Sequence, residues 1–193
     1  FRRFANLVSA MNYFSFALSG RPYMGIGKNL AYRKSLHYKN KGFTGHYRIS
    51  VGEDDLFINQ VATKRNVAIA PDLDSQVVCG GPQPFTEWVR FRKKYFKSRR
   101  YYPFWDKFFL NLFAFSYILF LAAFVYLLIV RALFYPVIGL FILRLFSQLF
   151  IFKKCMIRLS EKNLLLLSPI NEILLLLFDG LIRRQQLRNH TGP

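Results

Sequence analysis

FFLNLFAFSYILFLAAFVYLLIV, Phe108 to Val130, decides the architecture of this chain. Its apolar side chains are interrupted only by Asn111, Ser116 and tyrosines, and about 20 such residues suffice to cross the hydrocarbon core of a bilayer. The stretch predicts a membrane-spanning helix. Downstream, Arg131 and Pro136 bracket a tight reversal, and Val137 to Phe152 with its flanks predicts a second span, so the pair forms an α-helical membrane hairpin. The second span carries Arg144 and Gln148. A cation in hydrocarbon is expensive, so Arg144 is expected to face protein, snorkel, or pair with a polar group. The last apolar element, Asn163 to Ile182, is interrupted by Pro169, Asn171, Glu172 and Asp179. Those interruptions favour an interfacial C-terminal helix, or one packed on the hairpin, over a third span. The basic tail RRQQLRNH follows.

Charge sets the orientation. The 193 residues are 53% hydrophobic and 18% aromatic with a formal charge of +18, a combination that suits neither an ordinary soluble domain nor a disordered tail. Lys93, Lys94, Lys97, Arg99, Arg100 and Lys107 precede the first span and Lys153, Lys154 and Arg158 follow the second, with only Arg131 in the connection. The positive-inside rule places both basic flanks, and therefore the first hundred residues, in the cytosol. Upstream of the hairpin, TEWVRFRKKYFK, Thr86 to Lys97, sets Trp88, Phe91 and Tyr95 at helical spacing among Arg90, Arg92, Lys93, Lys94 and Lys97. This is the pattern of a helix in the bilayer interface with its cations toward anionic lipid. Aromatics among cations also suit single-stranded nucleic acid, but the adjoining spans favour the membrane, and no nucleic-acid partner is expected.

The N-terminal part reads as a short α/β region. Phe4, Leu7, Val8, Met11, Phe14 and Leu18 mark one face of a helix over Arg3 to Ser19, ended by Gly20 and Pro22. GRPYMGIGKNLAYRKS, Gly20 to Ser35, predicts a short strand or turn and then an extended Asn29 to Arg33. Gly25 and Gly27 permit a close backbone approach there, although GIG alone is a weak phosphate-binding signal. After the basic loop Lys39 to Gly45, a second helix is predicted over Leu56 to Lys64. Short extended runs at Val67 to Ala70 and Gln76 to Cys79 complete a helix–strand alternation that suggests part of an α/β sandwich. The chain starts at Phe1 without a leader sequence and is expected to be a fragment. Cys79 and Cys155 read as two unpaired thiols in a reducing compartment.

Three of only ten acidic residues sit together as Glu53, Asp54 and Asp55. Adjacent carboxylates repel, which raises a pKa or recruits a cation. The plain alternative is a helix start stabilised by the macrodipole, with Asp54 or Asp55 as cap.

In this order, GRPYMGIGKNLAYRKS, GEDDLFINQVA, short strands, the TEW helix and the hairpin resemble the C-terminal half of a membrane-bound family 2 glycosyltransferase, over roughly residues 1–155. The resemblance implies an inverting transfer from a nucleotide-sugar donor to a hydroxyl of a lipid or glycan acceptor. The enzyme would be a multi-pass protein whose catalytic portion, of GT-A type, faces the cytoplasm of a bacterial inner membrane. It implies that Asp54 is the general base, with Glu53 and Asp55 positioning it, capping the helix or orienting acceptor. Gly25, Gly27, Asn29, Trp88, Lys94 and Tyr95 are then the substrate-binding candidates. A divalent metal, magnesium or manganese, is implied with ligands N-terminal to Phe1, so the chain alone is expected to lack turnover. The Gln, two variable residues, Arg and Trp of processive members fall on Phe91, Lys94 and Tyr95. Losing that Gln favours single-sugar transfer over polymer synthesis.

Four regions follow: residues 1–85, the C-terminal part of a catalytic domain; 86–107, interfacial helix and linker; 108–152, two spans; and 153–193, linker, membrane-associated helix and basic tail. A non-catalytic, basic membrane-binding scaffold is the competing reading. Arg144 and Gln148 also admit a transporter subunit, but transporters place their sites between repeated helix bundles. His37 and His46 read as surface histidines with a weaker claim to touch substrate.

Overall fold

A computed structural model describes residues 1–46, 49, 52–77, 84–131 and 133–191. Among the described residues seven α-helices order the chain: α1 Arg2–Leu18, α2 Lys34–Lys39, α3 Glu53–Val61, α4 Phe85–Ser98, α5 Phe104–Val130, α6 Phe134–Arg158 and α7 Ser168–Thr191. The protein is 74% helical, with no strand or sheet among the described residues, so it is all-α and the expected GT-A-like α/β sandwich is wrong. The reason lies in backbone pairing. A strand exists only where a neighbour takes its N–H and C=O groups, and Val67–Ala70 finds none among the described residues. The chain there turns on itself instead. Asn66 Nδ2 donates to the Val61 carbonyl at 2.9 Å, Gln76 Nε2 to that of Pro71 at 3.3 Å, and Ser75 Oγ to that of Asp72 at 2.7 Å. These side-chain bonds satisfy the backbone locally and close a 3-10 turn at Leu73–Ser75. Residues 78 and 79 of the second expected strand, including Cys79, lie outside the described residues. The expected turn at Gly25 and Gly27 leads into a 3-10 turn, Gly27–Asn29, and the expected basic loop starts at Lys39, the last residue of the short α2.

The structure divides into two compact units, one of Phe1–Tyr102 with Leu177–Pro193, the other of Pro103–Leu176. In the first, α4 is the centre. Its row Trp88, Arg92, Phe96 is buried, each residue four after the last and hence on one face. On one side α1 meets this row, where Trp88 Nε1 donates to Asn6 Oδ1 at 3.4 Å and Arg92 to Ser9 Oγ at 2.7 Å. The C-terminal half of α7 meets it on another: Phe178 stacks on Trp88 at 5.2 Å, Asp179 takes a two-point bond from Arg92 at 2.7 and 3.0 Å, and the Arg183 guanidinium lies 5.0 Å from the Phe96 ring centre. Arg92 therefore does not face lipid, as its place among the α4 cations implied, because a buried guanidinium is tolerable only when paired.

The second unit contains α5 and α6, both long and apolar enough to cross a membrane. Arg131 and Leu133 adopt left-handed backbone at φ 55° and 52° in the reversal between them. Phe124 and Phe141 stack across the pair at 4.3 Å.

Candidate functional site

Gly52 starts the acidic helix. It is the N-cap of α3, in left-handed backbone at φ 76°, and no side chain caps the helix. This corrects the expectation that Asp54 or Asp55 caps it. A Cβ on Gly52 would stand 2.3 Å from Ser98 Cβ, so α4 approaches too closely for any other residue. The three carboxylates then occupy the first turn of α3, where the macrodipole favours negative charge.

From that start they diverge. Glu53 is exposed. Asp54 points at Gly27, where an added Cβ would lie 2.0 Å from Oδ2. Asp55 turns inward, its Oδ2 accepting a 3.0 Å hydrogen bond from Ser98 Oγ, which also lies 2.9 Å from the Tyr95 carbonyl oxygen. Burial raises the Asp55 carboxyl from the usual 3.8 to about 6, against the opposing pull of the Ser98 and Tyr102 hydroxyls and with a lesser push from Asp54. The repulsion anticipated from the sequence is thus present but secondary. Tyr23 and Tyr102 are buried beside it, their rings 5.7 Å apart. Burial first, then the charges of neighbouring groups, raises both phenols above their ordinary range, so they remain neutral donors.

The glycine segment lies along α3. Asn59 Nδ2 donates to the Tyr23 carbonyl at 3.0 Å, a Cβ on Gly25 would meet Ile58 at 2.9 Å, and Gly27 meets Asp54. Residues 23, 25 and 27 thereby descend one side of the helix from residue 59 to residue 54. Missing side chains at 25 and 27 permit this approach, so the glycines act here by contact with the acidic helix.

The remaining sequence candidates separate. Tyr95 is half-buried beside Tyr23 and Tyr102. Lys94 is exposed on α4. Trp88 is a core residue among Phe1, Phe85 and Phe178. Asn29 donates to the Ser75 carbonyl at 3.0 Å, bracing a loop. His37 packs its ring against Tyr32, Phe43 and Phe57 and is half-buried rather than a fully exposed surface residue. The His46 side chain lies outside the described residues. The sequence reading missed Gly52, Ser98 and Tyr102. Gly52, directly before three carboxylates, was a readable signal; nothing local marks Ser98.

Because they face different neighbours, the three carboxylates do not form one donor set for the implied magnesium or manganese. Among the described residues no group of three His, Cys, Asp or Glu side chains could hold a metal ion.

A second polar cluster belongs to the hairpin unit. Arg144 Nη1 donates to Gln148 Oε1 at 3.1 Å, Gln148 Nε2 donates to Glu172 Oε2 at 2.7 Å, and Arg144 lies 3.5 Å from Glu172. The Arg144 guanidinium also sits 4.6 Å and 4.8 Å from the Tyr117 and Phe120 ring centres. With Phe113 and Ser116 these residues line an open cleft of about 290 Å³. The cation thus finds the polar pairing that its position requires.

Comparison with protein-family models, with curated proteins and with solved structures finds no match.

Proposed function

We propose that this protein is a membrane-anchored inverting glycosyltransferase. It would move a sugar from a nucleotide-sugar donor to a hydroxyl of a lipid or glycan acceptor at the cytosolic membrane face. The anchor is the α5–α6 hairpin, oriented by its basic flanks, and the base is Asp54. One observation carries the reading: the glycine segment, the acidic triplet and the end of α4, far apart in sequence, meet at the first turn of α3 through Gly27, Asp54, Asp55 and Ser98. Of these residues the family resemblance selects Gly27, Asp54 and Asp55; Ser98 joins them from α4.

An acceptor hydroxyl is a poor nucleophile at neutral pH. As its oxygen bonds to the anomeric carbon and the bond to the diphosphate breaks, its proton must pass to a carboxylate within hydrogen-bond reach. Asp54 is half-buried against a glycine backbone that leaves it room; Asp55 fixes the helix start by its bond to Ser98. The donor diphosphate needs a site of its own, and no step here is routed through a metal.

The test is transfer of label from a panel of nucleotide sugars in membranes containing the protein expressed from its native reading frame. Asp54→Asn should lower transfer by about 10²–10⁴-fold, the usual contribution of a positioned base. Retained transfer overturns the base assignment. The scaffold reading is favoured by the exposed cations Arg90, Lys93, Lys94, Lys97 and Arg100 around α4. It expects intact binding to anionic vesicles and no transfer from the unaltered protein.

A further inference from the structure

The start of α7 has an inverted distribution of side chains. Ser168 and Asn171 are buried, and the Glu172 side chain is 13% exposed. Leu166 is 90% exposed, and Leu167, Ile170, Ile173 and Leu174 are exposed beside it. In water the preference runs the other way, with charged groups outside and leucines inside. Polar groups turned inward under an aliphatic surface are what a hydrocarbon solvent selects, because there only protein can satisfy them.

The depth of this surface follows from its attachment. Glu172 is bonded to Gln148 and paired with Arg144, and both lie at least ~15 Å from either end of the 25-residue α6 at about 1.5 Å per residue. Where α6 crosses a hydrocarbon core about 30 Å thick, Glu172 lies inside it. The connection rules out neither end. Left-handed residues Ser160 and Asn163 turn the chain after Arg158, and the run Leu164–Leu167 leads from them into α7.

We propose that residues 164–176 form a re-entrant segment that dips into the acyl chains of the bilayer and is held at depth by the Glu172–Gln148–Arg144 bridge. The occupant of the Leu166–Ile170–Leu174 face is lipid hydrocarbon. This rests on reading α6 as a span and goes further than an interfacial helix, because the segment reaches the core without crossing it. Its polar side, carrying Glu172, faces the open cleft lined by Tyr117 and Arg144.

The experiment uses the full chain with Cys79→Ser and Cys155→Ser, reconstituted into vesicles of phosphatidylcholine and phosphatidylglycerol. Single nitroxide labels are placed through Leu166→Cys, Ile170→Cys and Ile173→Cys, with Leu140→Cys and Ile142→Cys on α6 and Leu73→Cys as controls. Relaxation by oxygen reports lipid, and relaxation by a water-soluble nickel chelate reports water. The proposal expects loss of nickel relaxation at 166, 170 and 173 to the level of the α6 labels, with full nickel relaxation at 73. Lipid-shielded α6 labels beside nickel-accessible labels at 166, 170 and 173 overturn the re-entrant segment alone. Nickel access at 140 and 142 overturns the span and the segment together. Glu172→Lys sets a second cation against Arg144 and should expose the labels at 166 and 170 while those on α6 stay shielded; unchanged shielding overturns the clamp.

Discussion

Asp55→Asn should make the protein more stable at neutral pH. Asp55 is buried against Ser98, and its carboxyl is raised from 3.8 to about 6, chiefly by burial. The folded state therefore binds a proton more tightly than the unfolded state. Stability associated with this group is greatest when it is protonated and falls as pH rises from about 4 to about 6. At about 1.4 kcal/mol per pH unit, keeping the carboxylate ionised above that window costs the fold about 3 kcal/mol. Asparagine retains an oxygen to accept from Ser98 without the charge. It should recover up to about 3 kcal/mol near pH 7.5, or about 6–12 °C in Tm for a chain of this size, and almost nothing below about pH 4, where the aspartic acid is itself neutral. Thermal unfolding of the detergent-solubilised protein, followed by tryptophan fluorescence at both pH values, provides the comparison. An equal shift at both, or a lower Tm for the variant near pH 7.5, would refute the reasoning.

The other perturbations act on contacts already described. Gly27→Ala places a methyl group 2.0 Å from Asp54 Oδ2, so the carboxylate must move; transfer activity should fall by about 10²-fold, as small misplacements of reacting groups do, and unchanged kinetics would separate Gly27 from the site. Asp179→Ala leaves the Arg92 guanidinium buried without its carboxylate and should cost about 3–5 kcal/mol, read as a lowered Tm; a shift near zero would mean that water reaches Arg92. In transfer assays Asp54→Asn should be the most damaging change among the three carboxylates, at about 10²–10⁴-fold.

What could be read from the sequence was what depends on neighbours in the chain. The spacing of Phe4, Leu7, Met11 and Phe14 marked α1, and the apolar run to Val130 marked α5, because helix hydrogen bonds close within one turn. The strands failed for the opposite reason. Extended runs such as Val67–Ala70 carry no information about whether a partner is present, and the side chains of Asn66 and Ser75 offered a local alternative. Within the site, the carboxylates and both glycines were legible as residue types, but the division of labour among them was not. Asp55 is distinguished from Asp54 by Ser98, 43 residues away in sequence. Arg92 looked like one more interfacial cation until its partner, 87 residues on, was located.

That last distance bears on how the protein is made. The first compact unit is interrupted: the chain leaves it at Tyr102 and returns at Leu177. At roughly 5–20 residues per second, Asp179 is synthesised roughly 4–17 s after Arg92, its partner 87 residues earlier. During that interval α1 and α4 have been made, yet the guanidinium and the Trp88 face still await Asp179 and Phe178. Both hairpin helices are synthesised in the same interval. Closure of the N-terminal unit therefore falls after synthesis of both long apolar helices, and a ribosome stalled before Leu177 would hold a chain whose α1 and α4 still lack their α7 partner.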